Sequence, residues 1–259
     1  MTILPRVVLA IFATSVTMAT AQDKKAPKPA TENVAIVPAP RSEAGIQSRQ
    51  EECVRRAKET QSAPVVFVGD SITQGWEGGG KETWEKEFAS MGALNLGVSG
   101  DRTEHVLWRL QQAPITHLEP KAVVLLIGTN NLGHGTSNAE HTLAGVQKVI
   151  ATLREQAPKA TVIVCEIFPR GERINAMRGD IAQINQVLRG LADERTKVLS
   201  FGDRWVRSDG TISRDIMPDF LHLSKAGYEQ WAAAIKPAIE GRSEEHTSEL
   251  QSRQYLVCR

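Results

Sequence analysis

Only three cysteines and two tyrosines occur in 259 residues, and aromatic residues make up 5% of the chain. So few cysteines exclude a small disulfide-stapled fold. Cys53 falls in a polar helical stretch, Cys165 inside the strand-like TVIVCEI, and Cys258 near the C-terminus, so no structural disulfide is expected. With five tryptophans, no distinct carbohydrate-binding module stands out. An excess of charge of one sign is also missing: 31 Lys and Arg face 30 Asp and Glu, for a formal net charge of +1. No basic stripe is present, which argues against a nucleic-acid partner. There is no internal repeat, and the G-x-S-x-G elbow of α/β-hydrolases is absent.

No apolar run reaches the roughly 20 residues of a comfortable membrane span. The longest, VVLAIFATSVTMA, follows the basic MTILPR and ends on the first residue of Ala19-Thr20-Ala21. That order fits a signal peptide over 1–21, cleaved after Ala21, and predicts an exported protein, periplasmic or extracellular, with no stable membrane anchor. Residues 22–40 are rich in Pro, Ala and Lys and are expected to be a linker that buries little. At the other end, RSEEHTSELQS reads like a translated sequencing adapter, and 242–259 is taken as non-native read-through without function.

What is present lies between. Five short apolar runs, Val65–Val68, Ala93–Leu96, Ala122–Ile127, Thr161–Ile167 and Val198–Phe201, each end in small or polar residues. Helical patterns at about 82–90, 102–113, 138–157 and 175–194 separate them, with others at about 42–61 and 224–240. Near-continuous apolar strands alternating with helices predict a parallel sheet covered on both faces, one three-layer α/β domain over 41–241. In such a sheet ligands bind beyond the carboxyl ends of the strands.

Polar clusters at that rim form a set. Ser71 follows the first run in VVFVGDSIT. Its hydroxyl can cap the next helix, or act as a nucleophile at a helix N-terminus that favours a developing anion. A hydroxyl nucleophile needs a base. In MPDFLHLS, Asp219 and His222 are three apart, so within one turn the carboxylate can hold one imidazole nitrogen while the other faces Ser71. His105 and His141 fall inside helical patterns, His117 precedes the third run, and His134, near GTNN, is the competing base. Glycines of NLGVSGD and the Asn130 amide of GTNN can donate to an oxyanion, or simply shape turns. Together, Ser, Gly, Asn and Asp-x-x-His in this order can complete one site. Trp76 either lines the cleft or belongs to the core.

GDSIT, NLGVSGD, GTNN and DFLH resemble the four motif blocks of the SGNH (GDSL-type) hydrolase superfamily, in order and spacing. HVLWRL, PRGE, SDGTIS and DFLHLS resemble segments of the platelet-activating-factor acetylhydrolase catalytic subunits and their secreted bacterial relatives. The resemblance implies a flavodoxin-like fold with five parallel strands in order 2-1-3-4-5, and neither metal nor organic cofactor. It implies Ser71 as nucleophile, His222 as general base and acid, and Asp219 as its orienting partner. The implied oxyanion donors are the Ser71 and Gly100 backbone N–H groups and the Asn130 side chain. Asp70 is expected to brace the loop. Ile72, Thr129 and Leu221 match acyl-pocket positions and would crowd a long acyl chain. The resemblance also admits a homodimer.

The expected function is that of an exported serine esterase cleaving short, mainly acetyl, O-esters of small molecules or carbohydrates through an acyl-enzyme. A lysophospholipase or thioesterase acting on longer acyl groups, and a non-catalytic glycan-binding relative, are the alternatives.

Overall fold

The computed structural model describes residues 32–241. The expected signal peptide, its cleavage site, most of the linker and the 242–259 tail lie outside the described residues. Five strands, β1 (Val65–Gly69), β2 (Ala93–Gly97), β3 (Ala122–Leu126), β4 (Thr161–Cys165) and β5 (Thr196–Leu199), form one sheet. Its order is 2-1-3-4-5 and every pairing is parallel, as expected. The order reverses between β1 and β3, and a crevice opens at such a switch point.

The apolar strand runs are explained by their two faces. Along β1, Val66 and Val68 enter one apolar layer, whereas Val65 and Phe67 enter the other. The first layer lies under α1 (Ala44–Glu59), α4 (Thr103–Gln112), α6 (Ala139–Gln156) and α7 (Ala176–Arg189). The second is covered by α3 (Lys81–Glu87) and α8 (Lys225–Ile239) and is strongly aromatic. Here Trp76 is fully buried, stacked on Trp231 at 4.8 Å between centroids and edge-on to Phe88 at 5.4 Å. Trp76 is therefore a core residue. Cys53 and Cys165, both free, belong to opposite layers.

Four expectations about boundaries change. The packed body begins before 41: Ala35 is fully buried, and its carbonyl accepts a 2.8 Å hydrogen bond from Thr103 Oγ1. The end of the expected linker thus packs on α4 and α6. The fourth strand stops at Cys165 and not at Ile167. The Asn185 side chain takes both backbone groups of Ile167, at 2.9 Å each, and so removes them from the ladder. The helix expected over 175–194 ends at Arg189, before Gly190, and β5 starts two residues earlier than the apolar run Val198–Phe201. Phe201 instead joins the aromatic layer against Phe168 and Trp205.

Gly97 ends β2 for a steric reason. A Cβ there would collide with the backbone of Thr73 and Gln74. Its absence lets the short helix α2 (Ser71–Gln74) approach the sheet edge.

Candidate active site

The first strand delivers Ser71 to the switch point as the opening residue of α2. The helix cap is Asp70, not Ser71. Asp70 has non-helical backbone angles, and its Oδ1 accepts from Ile72 N at 2.9 Å. Its capping frees the Ser71 hydroxyl. The Ser71 backbone N–H, in the first turn of α2, has no acceptor among the described residues.

Ser71 Oγ lies 2.9 Å from His222 Nε2, and His222 Nδ1 lies 2.6 Å from Asp219 Oδ2. Burial acts to raise the Asp219 pKa, but bonds from the His222 ring, the His222 N–H and the Leu221 N–H outweigh it and hold the carboxyl below its ordinary value. An ionised carboxylate only accepts, so Nδ1 carries the proton and donates. Nε2 is then the bare nitrogen that accepts from the Ser71 hydroxyl.

The loop that carries the pair is locally over-determined. Asp219 Oδ1 accepts from Leu221 N at 3.0 Å and His222 N at 2.7 Å, which folds Asp-x-x-His into one turn. The turn requires φ +60° at Phe220, an uncommon conformation for a bulky residue. Arg214 stacks on the Phe220 ring at 4.4 Å, and the Phe220 carbonyl accepts from Gly171 N at 2.8 Å. Ser224 then caps α8 through Gly227 N.

Three other histidines, His105, His117 and His134, are engaged elsewhere. His105 Nδ1 accepts from Arg102 N at 3.0 Å, and burial, with Arg102 and Arg41 nearby, pushes its pKa down to about 3. His117 lies against the carbonyls of Pro114 and Ala57. His134 sits 3.4 Å from Arg102 Nη1, and burial followed by the charges of Arg102, Arg41 and Arg170 keeps its pKa low.

Gly100 and Asn130 flank Ser71 on neighbouring loops. Gly100 has φ +72°, and its N–H has no acceptor among the described residues. Asn130, at the start of α5 (Thr129–Gly133), is buried, and its Nδ2 donates to Asp101 O at 3.0 Å. One amide proton therefore orients the side chain and the second stays available. Asn131 is structural instead: it accepts from Thr103 N and donates to Thr103 Oγ1 and Glu104 Oε2.

Beneath this loop lies an ion network that no sequence motif announced. Asp101, fully buried, receives Arg109 Nε at 3.0 Å, while Arg109 Nη1 reaches Leu96 O at 2.8 Å. Arg41, from the segment before α1, donates to Ser99 O at 3.3 Å and lies 3.8 Å from Asp101. A Cβ at Gly100 would come within 2.8 Å of Arg41 Nη1. Arg41 and Arg109 thus hold the Gly100 loop from below.

Of the expected acyl-pocket residues, Ile72 and Thr129 are both buried and Leu221 is half-buried. The Ile72 carbonyl accepts from Tyr228 Oη at 2.7 Å, and Thr129 Oγ1 accepts from Arg170 Nη1 at 3.1 Å. Arg170 went unrecognised. The signal for it was its place in FPRG, directly after β4, at the same rim as the other clusters.

Asp70 gives the site an unusual titration. Complete burial pushes its pKa up to about 7, against the favourable Ile72 N–H bond and with the Asp101 charge adding to the rise. In the unfolded chain an Asp releases its proton near pH 4. The stability contributed by the protonated form is complete below that pH and is lost as pH rises through the folded value. Asp70→Asn cannot ionise. Its melting temperature relative to wild type should therefore climb between about pH 4 and about pH 7 and level off above that. A difference that stays constant over this range contradicts the assignment.

Among the described residues no group of three His, Cys, Asp or Glu side chains could hold a metal ion, and no helix is long and apolar enough to cross a membrane.

Comparison with known proteins places the same residues in context. Residues 67–230 match the model of the GDSL-like lipase/acylhydrolase family. The human platelet-activating factor acetylhydrolase IB subunit alpha1 is 40% identical over 166 residues, which cover 63% of this chain and 70% of the human one. The rat alpha2 subunit is 36% identical over 190 residues, covering 73% of this chain and 81% of the rat one. Among solved structures, a GDSL-like lipase from Bacteroides thetaiotaomicron superposes with a TM-score of 0.61 at 22% identity, over 75% of this chain and 98% of that one. At that identity the likeness is one of fold.

Proposed function

Since the chain belongs to the GDSL-like lipase/acylhydrolase family and is a hydrolase acting on esters, we propose that it is an exported serine esterase specific for short acyl groups, acetyl above all. The observation that carries this reading is the continuous chain from Ser71 Oγ through His222 to Asp219, at 2.9 and 2.6 Å.

In this mechanism His222 Nε2 takes the Ser71 proton as Oγ attacks the ester carbonyl. The negative charge on the carbonyl oxygen meets the Ser71 and Gly100 N–H groups and the Asn130 amide. Asp219 stabilises the imidazolium, which then protonates the departing alcohol. Water, activated by the same nitrogen, attacks the acyl-enzyme, and the carboxylic acid leaves with Ser71 restored.

The acyl preference follows from Ile72, Thr129 and Leu221. The first two are buried and packed on neighbours, which supports a shallow acyl site. The acetylhydrolase relatives support the same choice. Export rests on the signal-like N-terminus, and with it the natural substrate class becomes O-acetylated carbohydrate outside the cytoplasm.

A series of 4-nitrophenyl esters from acetate to octanoate tests this. kcat/KM should fall by at least about tenfold across the series, a loss that a pocket crowded by a few methylenes produces. A rise toward octanoate overturns the short-acyl reading in favour of a lysophospholipase or thioesterase. Absence of turnover on every ester would favour a glycan-binding protein.

A further inference from the structure

The guanidinium of Arg170 is half-buried at the catalytic rim and has no ion-pair partner among the described residues. Other arginines around the site are paired. Arg41 pairs with Glu43, Arg102 with Glu104, and Arg109 with Asp101. Asp70 and Asp219 act on the Arg170 charge from a distance, but Asp70 is sealed under α2 and Asp219 holds His222. A partly desolvated charge without a counter-ion is costly to keep, and at an active-site rim it is a candidate for ligand recognition.

The hydrogen bonds of Arg170 use only one of its nitrogens. Nη1 donates to Thr129 O at 3.2 Å and to Thr129 Oγ1 at 3.1 Å. Among the described residues Nε and Nη2 donate to nothing, and they are not among the sealed, unsatisfied polar atoms, so both reach solvent. These two nitrogens form the side-on fork of a guanidinium, which matches the two oxygens of a carboxylate. The same edge is used elsewhere: Arg41 grips Glu43 with Nε and Nη2 at 2.9 and 3.0 Å, and Arg189 grips Glu166 at 2.5 and 3.1 Å.

The fork is also held in place. Arg178 donates to the carbonyls of Arg170 and Gly171, and Gly171 N donates to Phe220 O beside the catalytic turn. At the other end Thr129, next to Asn130, fixes Nη1. Arg170 therefore links the loop that supplies the Asn130 amide to the segment packed on the His222–Asp219 turn, and its Nε–Nη2 edge is open to solvent at this rim.

We propose that Arg170 is a specificity residue whose Nε–Nη2 edge binds a carboxylate on the substrate, so that the preferred esters are anionic. This rests on the esterase reading and narrows its substrate class. No covalent step is added: the carboxylate is bound and is not transformed.

Two matched pairs of esters test the proposal with the full chain, and they separate the two halves that can carry the anion. Ethyl hydrogen malonate against ethyl propionate places a carboxylate on the acyl half. 3-Acetoxybenzoate against its methyl ester places it on the alcohol half. For wild type, Arg170→Lys and Arg170→Met, the quantity read is the ratio of kcat/KM for the anionic over the neutral member. In at least one pair the ratio should fall by at least about tenfold in Arg170→Met, mainly through KM. Arg170→Lys, which keeps the charge but not the fork, should fall between. Any general damage to folding or catalysis cancels in the ratio. Ratios unchanged in both pairs overturn the proposal, and so does a wild type that turns over the neutral members but neither anionic one. Failure of wild type on the neutral esters as well would instead remove the esterase reading on which the proposal stands.

Discussion

Ser71→Ala should lower kcat toward 4-nitrophenyl acetate by about 10⁴- to 10⁶-fold, the size of effect seen when a nucleophile is removed from a hydroxyl–imidazole–carboxylate unit. The prediction is large because the 2.9 Å contact of Ser71 Oγ with His222 Nε2 is where the bond to the substrate begins. It is clean because the fold does not depend on that hydroxyl. Asp70 caps α2, and Asp219 folds its own turn through the Leu221 and His222 N–H groups. The melting temperature of the variant should stay close to that of wild type. His222→Ala should cost a comparable factor, and the double variant little more than either alone, since both residues act in one step. Pre-steady-state release of nitrophenol gives a second readout: an initial burst, where wild type shows one, disappears in Ser71→Ala. Retention of more than about 1% of wild-type kcat by Ser71→Ala would assign the nucleophile elsewhere.

The rim residues were legible because each follows an apolar run. VVFV fills both faces of the sheet, and the chain has to turn at Gly69-Asp70. Whatever follows stands at the carboxyl edge, and this reasoning located Ser71, the glycines of NLGVSGD and Asn130, while the choice of Gly100 among those glycines followed from the resemblance. Asp219 and His222 were legible through a spacing of three, and the structure adds the mechanism: an aspartate that binds two backbone N–H groups with one oxygen and the imidazole with the other. The strand order followed from the resemblance, not from the periodicity, since alternation of strands and helices alone does not fix which neighbours pair.

The features that stayed hidden share a physical cause. The end of β4 is set by Asn185, eighteen residues downstream, and no local pattern at Ile167 reports it. Arg41 follows directly on a Pro/Ala-rich segment that reads as linker and carries no pattern of its own, yet its guanidinium packs beneath Gly100, far along the chain. Asp70 was expected to brace the loop; its actual bond, to Ile72 N, makes it the helix cap. Arg170 belongs to the same class, because an arginine after a strand declares its position but not whether a carboxylate awaits it. Periodicity encodes burial, whereas ion pairing at long sequence separation depends on which loops the sheet brings together.

That dependence gives the second large effect. Asn130→Ala should reduce kcat by about 10²- to 10³-fold, equivalent to roughly 3–4 kcal/mol of transition-state stabilisation. One amide proton of Asn130 is committed to Asp101 O at 3.0 Å, and in the proposed mechanism the other donates to the oxyanion. The anchor itself is rigid: Asp101 is fixed by Arg109, and Gly100 is packed on Arg41. A donor held this way interacts far more strongly with a full negative charge than with a ground-state carbonyl, so the loss should appear in kcat with KM little changed. Asn130→Asp keeps the size of the side chain but replaces the donor with an acceptor, and should be at least as impaired. Both variants leave the Asp101 carbonyl without its amide partner, which costs about 1–3 kcal/mol of stability. Kinetics are therefore compared at a temperature where each variant is folded by circular dichroism. A purely structural Asn130 would instead lower the fraction of active enzyme, leaving kcat per folded molecule unchanged, and active-site titration with a serine-reactive organophosphate separates the two cases.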